Sequence, residues 1–257
     1  PRTSTRTSST YSFKSALIPF FANISKRIGF RGEFRDILLT HTKKLDKDHY
    51  PLMIQRFAAL WDEEKARNAK TLLKPHLQVN AAKAVEAAKK HGLALDKPII
   101  ALCPGAEFGP SKRWPEASFT EVANYALSRG FQVWVFGSQK DNDVASLIEK
   151  GCKQTIANLT GKTSLAEAID LLSLCQTVIT NDSGLMHIAC ALEKPVIALY
   201  GSTDPGFTPP LAEKVLIHKQ AMPCSPCFKR ECPLKHHDCM KQLKVGPVIE
   251  ALENFAL

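Results

Sequence analysis

The chain has 257 residues, with 34 Lys and Arg against 25 Asp and Glu, 44% hydrophobic and 23% charged residues. This composition excludes a disordered or fibrous chain, and no apolar run approaches the ~20 residues of a membrane-spanning helix. Eight cysteines in a chain of this length exclude a small disulfide scaffold. The charge is uneven. Residues 1–75 hold 15 Lys and Arg against 7 Asp and Glu, and residues 76–257 hold 19 against 18. The basic first third is either a solvated face with a basic tail or a surface for an anionic partner: an acidic membrane, a phosphorylated substrate or nucleic acid. No zinc-finger or RNA-binding fingerprint accompanies it, which ranks nucleic acid last.

In chain order, PRTSTRTSST is polar and aperiodic, and residues 1–11 are expected to be disordered or out of natural context. SFKSALIPFFANI predicts a short amphipathic helix, kinked or ended at Pro19. KRIGFRGEFRDILL interleaves Lys26, Arg27, Arg31 and Arg35 with apolar residues. Leu52, Phe57, Leu60 and Trp61 keep helical spacing within a stretch from Tyr50 to about Asn68, and residues 69–80 read as a connector. A regular alternation follows. AAKAVEAAKKHG predicts a helix, PIIALCP a strand, PEASFTEVANYALSRG a helix opened by Pro115 and stopped by Gly130, and FQVWVFG a strand. NDVASLIEKG predicts a helix, and SLAEAIDLLSLC one with a Ser164–Glu167 capping box. TVIT, a helix from about Ser183, PVIALYG and a last helix at PVIEALENF complete it. Strands alternating with helices of ten to fifteen residues define α/β units around a parallel sheet.

Three loops at the carboxyl ends of these strands carry the chemistry, because ligands of open parallel sheets bind there. In TVITNDSGLMH a strand ends in Asn181 and a helix begins near Ser183. The free N–H groups of that helix suit a diphosphate. Gly184 allows close approach, Ser183 adds a hydroxyl, Asp182 stands beside them, and His187 lies one turn along on the same side. An ordinary N-cap by Asp182 or Ser183 is the alternative. The loop CPGAEFGPSKRWP brings Gly105, Gly109, Lys112 and Arg113 to the same edge, which suits a diphosphate leaving group; a solvent loop with incidental charges is the alternative. FGSQKDND lies at the same edge, where Gln139 or a nearby residue suits a ribose hydroxyl.

Cys224, Cys227, Cys232 and Cys239 form C-x2-C-x4-C-x6-C, with His236 and His237 between them. Zinc or an iron–sulfur cluster is one reading; packed thiols, or a disulfide formed on oxidation, is the other.

The motifs SFKSALIPFFA, PGAEFGPSKRWP, NDSGLMHIACAL, PVIALYGSTDP and CSPCFKRECPLKHHDC run from Ser12 to Cys239. Together they resemble the ADP-heptose:lipopolysaccharide heptosyltransferases of glycosyltransferase family 9. The resemblance implies a GT-B fold: two Rossmann-like domains with parallel sheets, an acceptor domain at 12–75 and an ADP-sugar domain at 76–257. It implies inverting transfer of L-glycero-D-manno-heptose from ADP-heptose to heptosyl-Kdo2-lipid A, in the cytoplasm and in peripheral contact with the inner membrane. It implies Lys112, also catalytic, for the donor diphosphate, Asp182, Ser183, Gly184 and His187 for the diphosphate and heptose, and Lys14, Arg27 and Arg31 as candidates for acceptor phosphates; Gly105 and Gln139 are added to the donor site from the position of their loops. No metal or organic cofactor is required. Family members open with a strand and a glycine-rich loop bearing an aspartate general base. Nothing before Ser12 matches it, so the acceptor domain is expected to be truncated and the base missing. Another nucleotide-sugar enzyme of this fold, such as an epimerase, and a nonenzymatic nucleotide-binding module are the competing expectations.

Overall fold

The computed structural model describes residues 5–8 and 12–256. The chain divides into two compact units, residues 1–73 with 206–209, and residues 74–205 with 210–257. Among the described residues no helix is long and apolar enough to cross a membrane.

Unit 1 is built on a parallel sheet of β1 (Thr5–Ser8), β2 (Lys26–Phe30) and β3 (His41–Lys43), in that order. Within residues 1–11, expected to be disordered or out of natural context, Thr5–Ser8 form β1, whose backbone pairs with Lys26–Gly29; the rest of that stretch lies outside the described residues. A polar sequence without periodicity gives no hint of this, because the ladder is made by main-chain groups. Helix α1 (Phe13–Phe21) opens with Ser12 accepting from the Ser15 N–H. It runs past Pro19 rather than ending there, since a proline in the last turn removes only one hydrogen bond. The stretch from Tyr50 to Asn68 is two helices, α2 (Met53–Trp61) and α3 (Glu63–Arg67). Asp62 divides them. It is extended, and its carboxylate accepts from the Lys65 N–H as an N-cap. Gly206–Pro209 belongs to unit 1, although the sequence reading left it in the second domain: the Met53 N–H donates to the Phe207 carbonyl and Arg56 stacks on the Phe207 ring at 4.6 Å.

Unit 2 has six parallel strands: β4 (Ile99–Cys103), β5 (Gln132–Val135), β6 (Ala157–Asn158), β7 (Thr177–Asn181), β8 (Val196–Tyr200) and β9 (Val215–Lys219). Their order is β6-β5-β4-β7-β8-β9. This is the doubly wound dinucleotide-binding order, which reverses between β4 and β7. The helices are α4 (Ala81–Lys90), α5 (Glu116–Ser128), α6 (Asn142–Gly151), α7 (Leu165–Ser173), α8 (Gly184–Ala191), α9 (Asp238–Lys241) and α10 (Gly246–Ala256).

Every residue of β4, β7 and β8 is buried, which explains their unbroken apolar runs. Alternate side chains serve two cores. Ile100, Leu102, Ile179, Ile197 and Leu199 pack with residues of α5, α6 and α10 on one face. Ala101, Cys103, Val178, Ala198 and Tyr200 pack with residues of α4, α7 and α8 on the other. The sequence reading missed β6 and β9. The first has only two residues, and the second is nowhere fully buried, so neither carries a strong apolar pattern.

Candidate functional site

The carboxyl ends of β4 and β7 lie side by side, with Cys103 opposite Thr180. Asn181, fully buried, ties the loops that follow them. Its Nδ2 donates to the Pro104 carbonyl at 2.7 Å, and its Oδ1 accepts from the Trp114 N–H at 3.2 Å. That staple brings Lys112 to Asp182. The ammonium is 2.6 Å from Asp182 Oδ2 and 3.3 Å from the Asp182 carbonyl. Thr203, just past β8, donates to the same carboxylate oxygen at 2.6 Å. Three strand ends therefore converge on one carboxylate, and the two segments singled out in the sequence meet. Lys112 also lies 4.9 Å over the Phe108 ring.

The Lys112 loop is held from behind by the cysteine-rich segment. Ser111, buried, donates through its N–H to the Arg230 carbonyl and through its hydroxyl to the Lys229 carbonyl. Gly109 has φ +153°, and a Cβ there would stand 2.3 Å from the Arg230 carbonyl oxygen, so only glycine fits. Cys224, Cys227, Cys232 and Cys239, all free thiols, line a cavity of about 20 Å³ with Ser111 and Ser202. The Cys239 thiol is pushed up by burial and by its three neighbouring cysteines; the Cys232 thiol is pulled down by backbone N–H groups of the turn after it, led by that of His237. Among the described residues no group of three or more His, Cys, Asp or Glu is arranged to hold a metal ion.

Helix α8 starts at the same edge. Ser183 is its N-cap residue but makes no side-chain bond to the helix; its hydroxyl lies 3.4 Å from that of Thr180. The first-turn amides thus lack a side-chain cap, unlike those of α7, whose Ser164–Glu167 capping box is present. Nothing lies within 4 Å of a Cβ placed on Gly184. His187 stands one turn further along, exposed on one side. Crowding by protein atoms lowers its pKa below the ordinary value, with Asp182 pulling it up and Lys112 pressing it down.

Beside α8 lies a cleft of about 450 Å³. Its apolar wall includes Ala106, Phe136, Leu165, Leu185 and Ile188, and its polar groups include Gly105, Ser138, Asp141, Ser164 and Ser183. Asp141, missed in the sequence, organises this wall. Its Oδ2 accepts from the Ser138 N–H at 2.9 Å and hydroxyl at 2.8 Å, and Arg113 Nη2 donates to Oδ1 at 3.3 Å. A Cβ on Gly105 would stand 2.6 Å from that carboxylate. Gln139 does not line the cleft; its Oε1 lies against Gly161. In unit 1, Lys14 and Arg31 are exposed. Arg27 instead spends its guanidinium on the Leu38 carbonyl at 2.6 Å and the Ile24 carbonyl at 2.5 Å.

A doubly wound sheet with cation, carboxylate and open helix N-terminus at its switch point is a nucleotide-binding arrangement. Residues 8–237 match the model of glycosyltransferase family 9 (heptosyltransferase), and the chain belongs to that family. It is 41% identical over 252 residues to lipopolysaccharide heptosyltransferase 2 of Salmonella typhimurium, covering 95% of this chain and 72% of the relative. It is 47% identical over 218 residues to lipooligosaccharide heptosyltransferase 2 of Haemophilus influenzae, covering 80% and 62%. The solved structure of the Escherichia coli ADP-heptose lipopolysaccharide heptosyltransferase II superposes with a TM-score of 0.84 at 37% identity, covering 96% of this chain and 74% of that one.

Proposed function

We propose that the chain transfers L-glycero-D-manno-heptose from ADP-heptose to the phosphorylated heptosyl-Kdo2-lipid A inner core of lipopolysaccharide, at the cytoplasmic face of the inner membrane. The relatives' names support the reaction class, and the convergence of Lys112, Asp182 and the open end of α8 supports the donor site. On this reading the apolar cleft takes the nucleoside. The diphosphate lies over the α8 amides within reach of Lys112, Ser183 and His187. Residues 12–73, with Lys14 and Arg31 exposed, meet the acceptor phosphates.

The chemistry is one in-line displacement. An acceptor hydroxyl oxygen bonds to the anomeric carbon as the bond from that carbon to the diphosphate oxygen breaks, so the centre inverts. The proton of the acceptor hydroxyl passes to a general base, to which no residue is assigned here, or to water, and ADP departs with the bonding electrons. Lys112 and the amides oppose the charge that grows on the leaving oxygen, so they stabilise the transition state more than the ground state. Asp182 and Thr203 keep the ammonium aimed before the donor arrives.

The test is transfer from ADP-heptose to heptosyl-Kdo2-lipid A, read as ADP release and acceptor mass. The expected result is an acceptor gain of one heptose, abolished or strongly slowed in Lys112→Ala. ADP release that is independent of acceptor and indifferent to Lys112 would overturn the proposal.

A further inference from the structure

The displacement uses none of the four thiols in the cysteine-rich segment, yet they stand directly behind the Lys112 loop. Cys224, Cys227, Cys232 and Cys239 open onto one small cavity, whose wall also includes Ser111 and Ser202. All four are free. Cys224, Cys227 and Cys232 are half-buried, so small solutes reach them. Cys239 is buried and spent in packing: a Cβ placed on Gly201 would lie 3.2 Å from its sulfur.

Cys232 is set apart from the other three by the turn that follows it. The Lys235 N–H closes that turn on the Cys232 carbonyl at 3.0 Å, and Lys235 and His237 have φ of +58° and +59°. Turns of this kind gather successive amides into an anion-binding nest. Here the N–H groups of His237, Leu234, His236 and Lys235 favour the Cys232 thiolate. Lys229, Arg230 and Lys235 lie close by in sequence, with Glu231 as the one acid between them. The thiolate is the reactive form of a cysteine, and a cationic, partly open setting promotes it.

The residues just before Cys232 hold the Lys112 loop. The Lys229 carbonyl accepts from the Ser111 hydroxyl, and the Arg230 carbonyl accepts from the Ser111 N–H at 3.2 Å. Arg230 Nη2 donates to the Glu107 carbonyl at 3.3 Å. The same segment is tied to the end of β8: the Ser225 hydroxyl donates to the Gly201 carbonyl at 2.6 Å and the Phe228 N–H to the Ser202 carbonyl at 2.8 Å. Ser111 precedes Lys112 directly, so a backbone shift at Cys232 reaches the ammonium through Arg230 and Ser111.

We propose that this cluster is a site of oxidation by hydroperoxides, in which Cys232 attacks, Cys224 or Cys227 closes a disulfide with it, and closure moves the Lys112 loop. The consequence for ADP rests on the reading that Lys112 grips the donor diphosphate. In the first step the Cys232 sulfur bonds to a peroxide oxygen, the O–O bond breaks, and the departing hydroxide leaves as water with the proton the thiol gave up. In the second step the partner sulfur attacks the sulfenic sulfur, the S–S bond forms, the S–O bond breaks and a second water leaves. Two sulfurs are oxidised and one hydroperoxide is reduced. An S–S bond holds its sulfurs about 2 Å apart, closer than free thiols pack, so closure must move the backbone beside Cys232.

Treating the purified chain with hydrogen peroxide tests it, read by intact mass, by differential alkylation and by calorimetry with ADP. The expected product has lost two hydrogens, maps to Cys232 with Cys224 or Cys227, and returns to the free thiols in dithiothreitol. ADP affinity is expected to fall about tenfold on oxidation, the scale of losing one charged hydrogen bond, and to recover on reduction. Cys232→Ser is expected to keep the ADP affinity of the reduced parent and to lose the response to peroxide. The alkylation map is made on the parent, so it decides the matter even if that variant folds poorly. A disulfide that leaves out Cys232, no disulfide, or an oxidised chain that binds ADP like the reduced one overturns the proposal. So does one zinc or iron ion per chain by elemental analysis, with thiols inert to peroxide. A reduced chain that binds no ADP while still forming the Cys232 disulfide refutes the donor-site reading and leaves the oxidation site standing; Lys112-dependent ADP binding without the disulfide does the reverse.

Discussion

Substituting Lys112 by alanine, alone and with Asp182→Asn, tests the proposed donor site, because on that reading the ammonium contributes to donor recognition as well as to folding. Its Nζ is 2.6 Å from Asp182 Oδ2, and the two side chains are 13% and 5% exposed. A hydrogen bond to a charged group contributes about 1.5–3 kcal/mol, which is about 10- to 150-fold in a dissociation constant. Lys112 is shared with Asp182, so the lower part of that range applies, and Lys112→Ala should weaken ADP about 10- to 30-fold by calorimetry. The variant also strands a carboxylate. Breaking a buried pair costs up to ~3–5 kcal/mol, and the Thr203 hydroxyl and partial exposure reduce this to about 1–3. Thermal unfolding should shift down by about 3–10 °C. The double variant Lys112→Ala/Asp182→Asn removes the stranded charge. It should recover most of the melting temperature and none of the affinity. Single-variant ADP binding within twofold of the parent, or affinity that returns with stability in the double variant, would refute the assignment of Lys112 to the diphosphate.

Asn181→Ala removes the staple between two loops and leaves the Trp114 amide and Pro104 carbonyl unpaired in the interior. It should cost about 2–4 kcal/mol in denaturant unfolding and weaken ADP binding as well. Gly105→Ala places a methyl 2.6 Å from the Asp141 carboxylate, which Ser138 and Arg113 hold; a loss of about 1–3 kcal/mol is expected. The His187 imidazole has a lowered pKa, so the free protein holds it neutral at pH 7, and its protonation below pH 6.5 opposes the free fold. A bound diphosphate raises that pKa, so calorimetry near pH 6 in buffers of different ionisation enthalpy should show proton uptake on ADP binding, absent in His187→Asn. Glu167 is lowered to about 2, first by the Lys90 ammonium and then by Ser164. Its stabilising contribution is present above about pH 4.5 and is lost as pH falls toward 2. The stability difference between the parent and Glu167→Gln should shrink across that window.

How far the site could be read in advance depends on which atoms make it. β4, β7 and β8 are buried on both faces, so their apolar runs announce them, and polar or glycine-rich sequence after such a strand marks a ligand edge. Lys112, Asp182, Ser183 and Gly184 were accessible for that reason. Asp141 and Thr203 were not. Each is an ordinary polar residue near a strand end, and its importance comes from partners that only the fold supplies: Ser138 and Arg113 for one, Asp182 for the other. Gln139 illustrates the limit within a loop. It sits in the right loop, but the turn after β5 aims it at Gly161 while its neighbour Ser138 lines the cleft. Register within a loop decides such cases, and composition does not contain it. Strand β1 escaped notice because main-chain pairing needs no particular side chains.

The same logic explains why the cation of the proposed donor site is built as a pair. A lone ammonium at the switch point would be drawn to solvent and would spend rotamer entropy on every binding event. Asp182, fixed by Thr203, holds it over the end of α8 beforehand, at the expense of part of its positive potential. The uncapped amides of α8 restore what the carboxylate takes away, since they favour an anion without a counter-charge. On the proposed reading, a site made this way would bind a diphosphate through geometry more than through net charge. Its ADP affinity should therefore fall only weakly with added salt, which calorimetry at low and high ionic strength checks.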